Sequence, residues 1–120
     1  MLNLNSIMVG SAEPKALAEF YARVFGRPAD MAEEDWYGWN GKSVFFGIGK
    51  HSEVGARAKE PARIILNMET ADVKEEFERI KALGATVIKD LYEMHGMWIA
   101  TFADPNGNYF QLMSPWENDK

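Results

Sequence analysis

Residues 104–112 read Asp-Pro-Asn-Gly-Asn-Tyr-Phe-Gln-Leu, and this stretch of the 120-residue chain decides its fold. Its first part predicts a turn, because Pro105 fixes the backbone at a corner and Asn106-Gly107 accepts positive φ values. The residues after the turn alternate as in a strand that is buried on one face. The stretch therefore predicts a closing β-hairpin, with Phe110 facing the core and Gln111 facing the opposite side.

The same layout occurs twice along the chain. A short apolar strand precedes a helix at residues 6–9 and 14–25, and again at 63–68 and 72–83. Asn-Gly then precedes a last strand at residues 40–48, as it does at 106–112. Two further strands fit between helix and turn in each half, at 29–33 and 36–39 and at 86–91 and 98–103. The chain is therefore predicted to be one domain over residues 1–120, with βαβββ modules at about 2–48 and 62–115 and a linker at 49–61.

Composition excludes several classes of function. The net charge of −5 disfavours nucleic acid and anionic membranes as partners. The absence of cysteine excludes disulfides, thiolate metal ligands and a cysteine nucleophile. No apolar run approaches the roughly 18 residues of a membrane span, and the N-terminus lacks a secretory pattern. The chain is expected to be cytoplasmic.

The duplicated βαβββ layout and its tail resemble the vicinal oxygen chelate superfamily, which includes glyoxalase I, extradiol dioxygenases and bleomycin resistance proteins. The family's tail reads roughly D-P-[DN]-G-N-x-x-E-L, and the resemblance covers about residues 4–115. It implies an α+β fold in which two βαβββ modules form a curved mixed sheet with a cleft, while the helices cover the outer face. A ferredoxin-like α+β domain is the alternative, but its strand count per helix fits less well.

Metal-binding members of the superfamily use four side chains, on the first and last strands of each half. The resemblance places these positions at Ser6, Phe45, Arg63 and Gln111, with Phe46 replacing Phe45 if the register slips by one. Divalent cations prefer imidazole or carboxylate ligands, and a protonated guanidinium repels them. The sequence therefore predicts no metal and no cofactor. Two purely structural alternatives stay open: Arg63 could extend to solvent, and Ser6 and Gln111 could hydrogen-bond to each other.

The two histidines, His51 and His95, lie in predicted loops without a second ligand at a regular spacing. Both are interpreted as exposed loop residues. Loops before the penultimate strand border the cleft in the superfamily, so His95 is the one candidate for a catalytic base or a ligand contact.

Large aromatic residues concentrate near the predicted cleft, and the chain contains four tryptophans. Either single rings pack in the core or a dimer interface, or together they form a stacking platform for a flat ligand. Arg63 would then grip a carboxylate, which favours an anionic or neutral ligand over a cationic one. The expected ligand-binding residues are Ser6, Trp36, Trp39, Phe45, Arg63, Asn67, Tyr92, Trp98, Tyr109 and Gln111. Trp116, in a polar tail, is expected to pack on the surface or on a partner subunit.

In length, acidity and tryptophan content the chain is most similar to the metal-free bleomycin-resistance branch, whose homodimers sequester an aromatic, often cationic, drug. The resemblance implies a homodimeric small-molecule-binding protein that holds a planar or aromatic ligand in the sheet cleft without chemistry. One alternative is a glyoxalase- or dioxygenase-like enzyme (a lyase, isomerase or oxygenase) with an atypical site. Another is a regulatory or structural dimer with a vestigial cleft.

Overall fold

A computed structural model of the chain describes residues 1–115; Trp116 lies outside them. The chain divides between Ala58 and Lys59 into two compact units, module 1 and module 2. Neither helix of the described residues is long and apolar enough to cross a membrane.

Module 1 contains β1 (Ser6–Ser11), α1 (Pro14–Phe25), β2 (Met31–Glu33), β3 (Trp36–Asn40) and β4 (Phe45–Lys50). The strands form one sheet in the order β1-β4-β3-β2. β1 and β4 are parallel, whereas the other neighbours are antiparallel.

Module 2 repeats this order with β5 (Leu66–Glu69), α2 (Val73–Ala82), β6 (Thr86–Met94), β7 (Met97–Ala103) and β8 (Tyr109–Met113). Its sheet has the order β5-β8-β7-β6, again with one parallel pair. The predicted α+β fold with two βαβββ modules is therefore confirmed.

Each helix packs against one face of the sheet in its own module. In module 1 the ring centroids of Tyr21 and Phe46 lie 5.2 Å apart. In module 2 those of Phe77 and Phe102 lie 5.4 Å apart, and Phe102 stacks on Phe110. Because side chains alternate along a strand, every second residue points away from the helix. We call the helix side of each sheet its covered face and the other side its open face.

The first strand of module 2, predicted at 63–68, begins three residues later than expected. β5 begins at Leu66, not at Arg63, and Ile64 is 70% exposed rather than in the core. The backbone N–H of Arg63 donates to the carbonyl of Glu60, which closes a turn before the strand can begin. At the other end of the linker, β4 continues to Lys50, two residues beyond its predicted end.

The predicted final hairpin is confirmed, and its first residue explains the turn. Asp104 is buried, and its Oδ1 accepts the backbone N–H groups of Asn106 and Asn108 at 2.9 and 3.0 Å. The side-chain amide of Asn108 donates to Oδ2 at 3.0 Å. Local hydrogen bonds of this kind fix a turn independently of the strands. Asp104 thereby sets where β8 begins, and with it the face to which Gln111 points.

Candidate functional site

Strand pairing places open-face residues in rows that cross each sheet. Counted from the loop between the last two strands, the second row of module 1 is Gly38, Gly47 and Met8. The second row of module 2 is Thr101, Gln111 and Asn67. We call these the central rows. They occupy the same place in two sheets of the same topology, so they can be compared residue by residue.

The central row of module 2 is a chain of hydrogen bonds. Thr101 Oγ1 donates to Gln111 Oε1 at 2.8 Å, and Gln111 Nε2 donates to Asn67 Oδ1 at 2.8 Å. Thr101 is only 7% exposed, so its hydroxyl depends on Gln111 for a partner. Two of the predicted site residues, Asn67 and Gln111, are brought together here. Both hydrogen bonds of Gln111 go to its own module.

Two tyrosines lie on the same open face as Gln111. Tyr92 pairs with Ile99 and Tyr109 with Ala103, and both partners alternate with the covered-face residue Phe102. Each tyrosine is half-buried. The ammonium of Lys89 lies 4.5 Å from the centroid of the Tyr92 ring. Module 2 therefore presents neutral polar groups flanked by phenol rings.

The open face of module 1 is aromatic. The rings of Trp36 and Phe45 have centroids 6.3 Å apart and planes inclined by 27°. They occupy the space that side chains of the central row would fill. A Cβ added to Gly47 would lie 2.6 Å from Cη2 of Trp36, and one added to Gly38 would overlap Cζ of Phe45. Ser6 pairs with Phe45 in the first row and is exposed.

An open depression of about 650 Å³ lies beside Trp36. Its floor contains Trp36, Gly49 and Met8, whose methyl carbon would lie 3.2 Å from a Cβ on that glycine. Its rim carries charge of both signs from Lys50 and from the acidic turn Glu33–Asp35. The depression therefore offers a small apolar floor inside a charged rim, since four of its seven lining residues are charged.

Gly38, Gly47 and Gly49 also belong to this surface, although they were not among the residues predicted from sequence. The signal that could have found them is the spacing of the glycines. Gly47 and Gly49 alternate within β4, and Gly38 pairs with Gly47 on β3. Glycine is disfavoured in strand interiors, so a row of glycines on one face indicates that something lies close against the sheet.

Two of the tryptophans predicted to bind the ligand, Trp39 and Trp98, lie on the covered faces of their sheets and not on the open faces. Trp39 is 2% exposed, packs on Phe25 with centroids 5.4 Å apart, and donates its Nε1–H to the carbonyl of Arg27. Trp98 shares a face with Phe102, and Lys74 of α2 lies 4.2 Å from its ring centroid. Trp39 is three residues from Trp36, which puts the two on opposite faces of β3.

Arg63 is not a cleft residue of β5. Its Nη2 pairs with Glu60 Oε1 at 2.6 Å, and its side chain is 73% exposed. The residue in register with Gln111 is Asn67. Arg63 therefore does not supply a positive charge to the open face, and the preference for an anionic ligand, which was expected from Arg63 alone, no longer holds.

The place of Phe45 in the repeat also changes. Counted by rows, Gly47 corresponds to Gln111. The two Asn-Gly pairs do not lie at the same place in their hairpins: Asn40 ends β3, five residues before Phe45, whereas Asn106 lies within the loop, three residues before Tyr109. Phe45 falls in the first row instead, opposite Asn40.

The candidate catalytic residue His95 is explained by its turn. Met94 pairs with Met97, and the two residues between them, His95 and Gly96, have φ values of 53° and 80°. Two positive φ values in a two-residue loop are characteristic of the turn that joins twisted strands. The other histidine, His51, accepts the backbone N–H of Glu53 through Nδ1 at 3.1 Å.

These positions do not fit a divalent metal. By either assignment, module 1 contributes only a hydroxyl, a phenyl ring, a thioether or a glycine. Module 2 contributes two neutral amides that already bond to each other. Residues 1–115 contain no group of three or more His, Cys, Asp or Glu side chains that could hold a metal ion. The ligand types that such cations require are therefore missing from these rows.

The family model of the glyoxalase-like domain matches residues 6–113, which include every strand and both helices. The chain belongs to the glyoxalase-like domain family. A comparison with curated proteins finds no significant match.

Several solved structures share the fold of this glyoxalase-like chain. One is a glyoxalase/bleomycin resistance protein/dioxygenase family enzyme from Burkholderia phytofirmans PsJN, with 22% identity, a TM-score of 0.77 and coverage of 94% of this chain and 98% of that one. Another is a glyoxalase-related enzyme from Fulvimarina pelagi, with 18% identity, a TM-score of 0.79 and coverage of 96% and 89%. A third is TioX from Micromonospora sp. ML1, with 16% identity, a TM-score of 0.72 and coverage of 94% and 98%. At these identities the likeness establishes the fold alone.

Proposed function

We propose that this glyoxalase-like chain binds a planar, aromatic small molecule on the open face of module 1, without a metal and without chemistry. The observation that carries the proposal is the pair of rings, Trp36 and Phe45, seated over glycines beside an open depression. A flat ligand placed against Trp36 would bury apolar area and stack on an indole face. Stacking of this kind adds about 0.5–1.5 kcal/mol beyond area burial.

The polar groups at the rim would orient the ligand. Lys50 and the turn Glu33–Asp35 supply both signs of charge within one depression. The rim therefore does not select one sign of ligand charge by itself. Probes that share one ring system and differ in charge would determine which charge binds best.

The enzyme alternative has less support among the described residues. The central row of module 2, where the superfamily's tail has its carboxylate, contains Thr101, Gln111 and Asn67. None of these side chains exchanges a proton near neutral pH, which a general acid or base must do.

The test is calorimetric titration with three naphthalene probes, 2-naphthol, naphthalene-2-sulfonate and 2-naphthylmethylammonium. Trp36→Ala should weaken the best probe by about tenfold or more, since an aromatic anchor in a pocket is worth 1.4 kcal/mol or more. Trp98→Ala is the matched control, because Trp98 lies on a covered face beneath Lys74. Thermal melts of both variants show whether each still folds.

No saturable binding of any probe would reject the proposed function. Equal loss of affinity in both variants would reject the site. Turnover of a probe without added metal would favour the enzyme alternative. The expected homodimer stays a prediction, and light scattering of the purified chain tests it.

A further inference from the structure

We infer that Gly38 and Gly47 are positioning residues that seat the Phe45 and Trp36 rings against the open face of module 1. The inference deepens the proposed function and, for its ligand-binding arm, rests on it. Neither glycine has a side chain that could touch the ligand, so both act through the rings that they position.

Backbone conformation does not explain these glycines. Among the residues with positive φ, none lies in β3 or β4. Any L-residue could adopt the backbone of Gly38, Gly47 or Gly49. Glycine weakens a strand interior through its entropy in the unfolded chain and its missing side-chain contacts. Glycine therefore occupies three of the eleven positions of β3 and β4 at a cost to stability, and the reason must lie in the space above these positions.

That space is filled by the rings. A Cβ on Gly47 would approach Trp36 Cη2 to 2.6 Å, and one on Gly49 would approach Trp36 Cε3 to 3.0 Å. A Cβ on Gly38 would overlap the tip of Phe45. For Gly38 and Gly47 the nearest obstacle is the far end of a ring, and for Gly49 it is the edge of the indole together with the methyl group of Met8. None of these nearest atoms belongs to the backbone. Adding a methyl group should therefore displace a ring and leave the sheet intact.

Substitutions at Gly38 and Gly47 test the two rings independently of each other. Gly47→Ala acts on Trp36, whereas Gly38→Ala acts on Phe45. Gly49→Ala presses on Trp36 less closely and gives the same test with a smaller disturbance. Gly55→Ala is the control, because nothing lies within 4 Å of its added Cβ and its φ is ordinary.

The first measurement needs no ligand. In the full chain, the indole N–H resonance of Trp36 is assigned by its loss in Trp36→Phe. We expect Gly47→Ala to shift that resonance most, Gly49→Ala less, and Gly55→Ala not at all. Each variant should keep the dispersed backbone spectrum of a folded chain. An unchanged Trp36 resonance in folded Gly47→Ala or, if that variant unfolds, in Gly49→Ala would overturn the inference.

The second measurement is a double-mutant cycle with the best naphthalene probe. Gly47→Ala should weaken binding about three- to tenfold in the wild-type background, which corresponds to the loss of a stacking contact. It should have no further effect in the Trp36→Ala background, where there is no ring to displace. An equal effect in both backgrounds would overturn the inference, because Gly47 would then act on the sheet. If the wild type binds no probe, the proposed function fails, and the indole resonances alone decide the role of the glycines.

Discussion

The central rows of the two modules occupy the same place in the fold but carry different kinds of side chain. In module 2, Thr101, Gln111 and Asn67 fill their row and hydrogen-bond across it. In module 1, Gly38 and Gly47 leave two of the three positions in their row without a side chain, and the rings of Trp36 and Phe45 reach in from neighbouring rows. The same topology and strand pairing thus carry a closed polar surface in one module and an aromatic surface in the other.

The difference shows that fold and surface chemistry separate cleanly in this architecture. Both covered faces follow one rule, with aromatic residues of the helix packed on aromatic residues of the last strands. The open faces are not constrained by that packing. Function in this chain therefore has to be argued from the open-face rows, since family membership fixes only the scaffold.

The largest expected effect distinguishes the two closing loops. In module 2, Asp104 is buried within the loop and accepts two backbone N–H groups. In module 1, the N–H of Asn40 is accepted at the edge of the sheet by Asp30, whose side chain is 34% exposed. Asp104→Ala should lower the free energy of unfolding by about 2–3 kcal/mol, because two part-buried backbone donors lose a buried, charged acceptor. Asp30→Ala should cost clearly less. Urea denaturation measures both, and equal losses would contradict the comparison.

A second prediction concerns the hydrogen bonds of the central row. Gln111→Leu should lower the free energy of unfolding by about 1–2 kcal/mol, because it strands the buried Thr101 hydroxyl without a partner. Thr101→Val in the same chain should recover much of that loss, since both polar partners are then gone. Met8→Leu is the control in the central row of module 1, where Met8 holds the place of Asn67 and has no side-chain hydrogen bond to lose. Failure of the double variant to recover would contradict the role of the row.

A third prediction restores the carboxylate that the superfamily's tail carries. Gln111→Glu should bind no Ni²⁺, Zn²⁺, Mn²⁺ or Fe²⁺ saturably at micromolar concentrations, because no second imidazole or carboxylate lies in either central row. The fold should survive, since Thr101 can donate to the new carboxylate and the Asn67 amide can rotate to do so. Isothermal titration and metal analysis check this. One tightly bound metal in this variant, but not in Gln111→Ala, would mean that the ligand positions are misassigned.

The smallest expected effect is a pH dependence in module 1. The N–H of Asn40 and the guanidinium of Arg27 hydrogen-bond to Asp30 and hold the pKa of its carboxyl below the ordinary value. A lowered pKa in the folded state stabilises the fold at pH values above the unfolded pKa of about 4, and this contribution is lost as pH falls through the folded value. Asp30→Asn should therefore lower the Tm slightly at neutral pH, and the difference should shrink as the pH falls below about 4. A Tm difference that persists in acid would contradict this origin.

The elements of the fold could be predicted from sequence because periodicity and turn residues are local. Both helices, all eight strands and the final hairpin follow from apolar spacing, proline, glycine and Asn-Gly pairs. The residue-level correspondence between modules could not. If the helices are aligned by Phe20 and Phe77, Ser6 corresponds to Arg63. Apolar residues recur every three or four positions along a helix, so several such alignments fit. Pro14 and Val73, which begin the helices, are separated by the same number of residues as Met8 and Asn67.

The site was only partly predictable for a related reason. Strand alternation correctly puts Trp36 and Trp39 on opposite faces and does not say which face the helix covers. The burial of Trp39 is decided by Phe25 and Phe46, which arrive from distant parts of module 1. Gly38 and Gly47 are not found by a search for reactive or hydrogen-bonding side chains, because they contribute to this surface by lacking a side chain.

The most direct test of the central claim is a titration of the ¹⁵N-labelled chain with the best naphthalene probe, followed by NMR. We expect the Trp36 indole resonance and the amides of Gly47 and Gly49 to shift together and to saturate. The side-chain amides of Asn67 and Gln111 should stay in place. Shifts confined to Asn67 and Gln111, with Trp36 unchanged, would contradict the account and move the ligand surface to module 2.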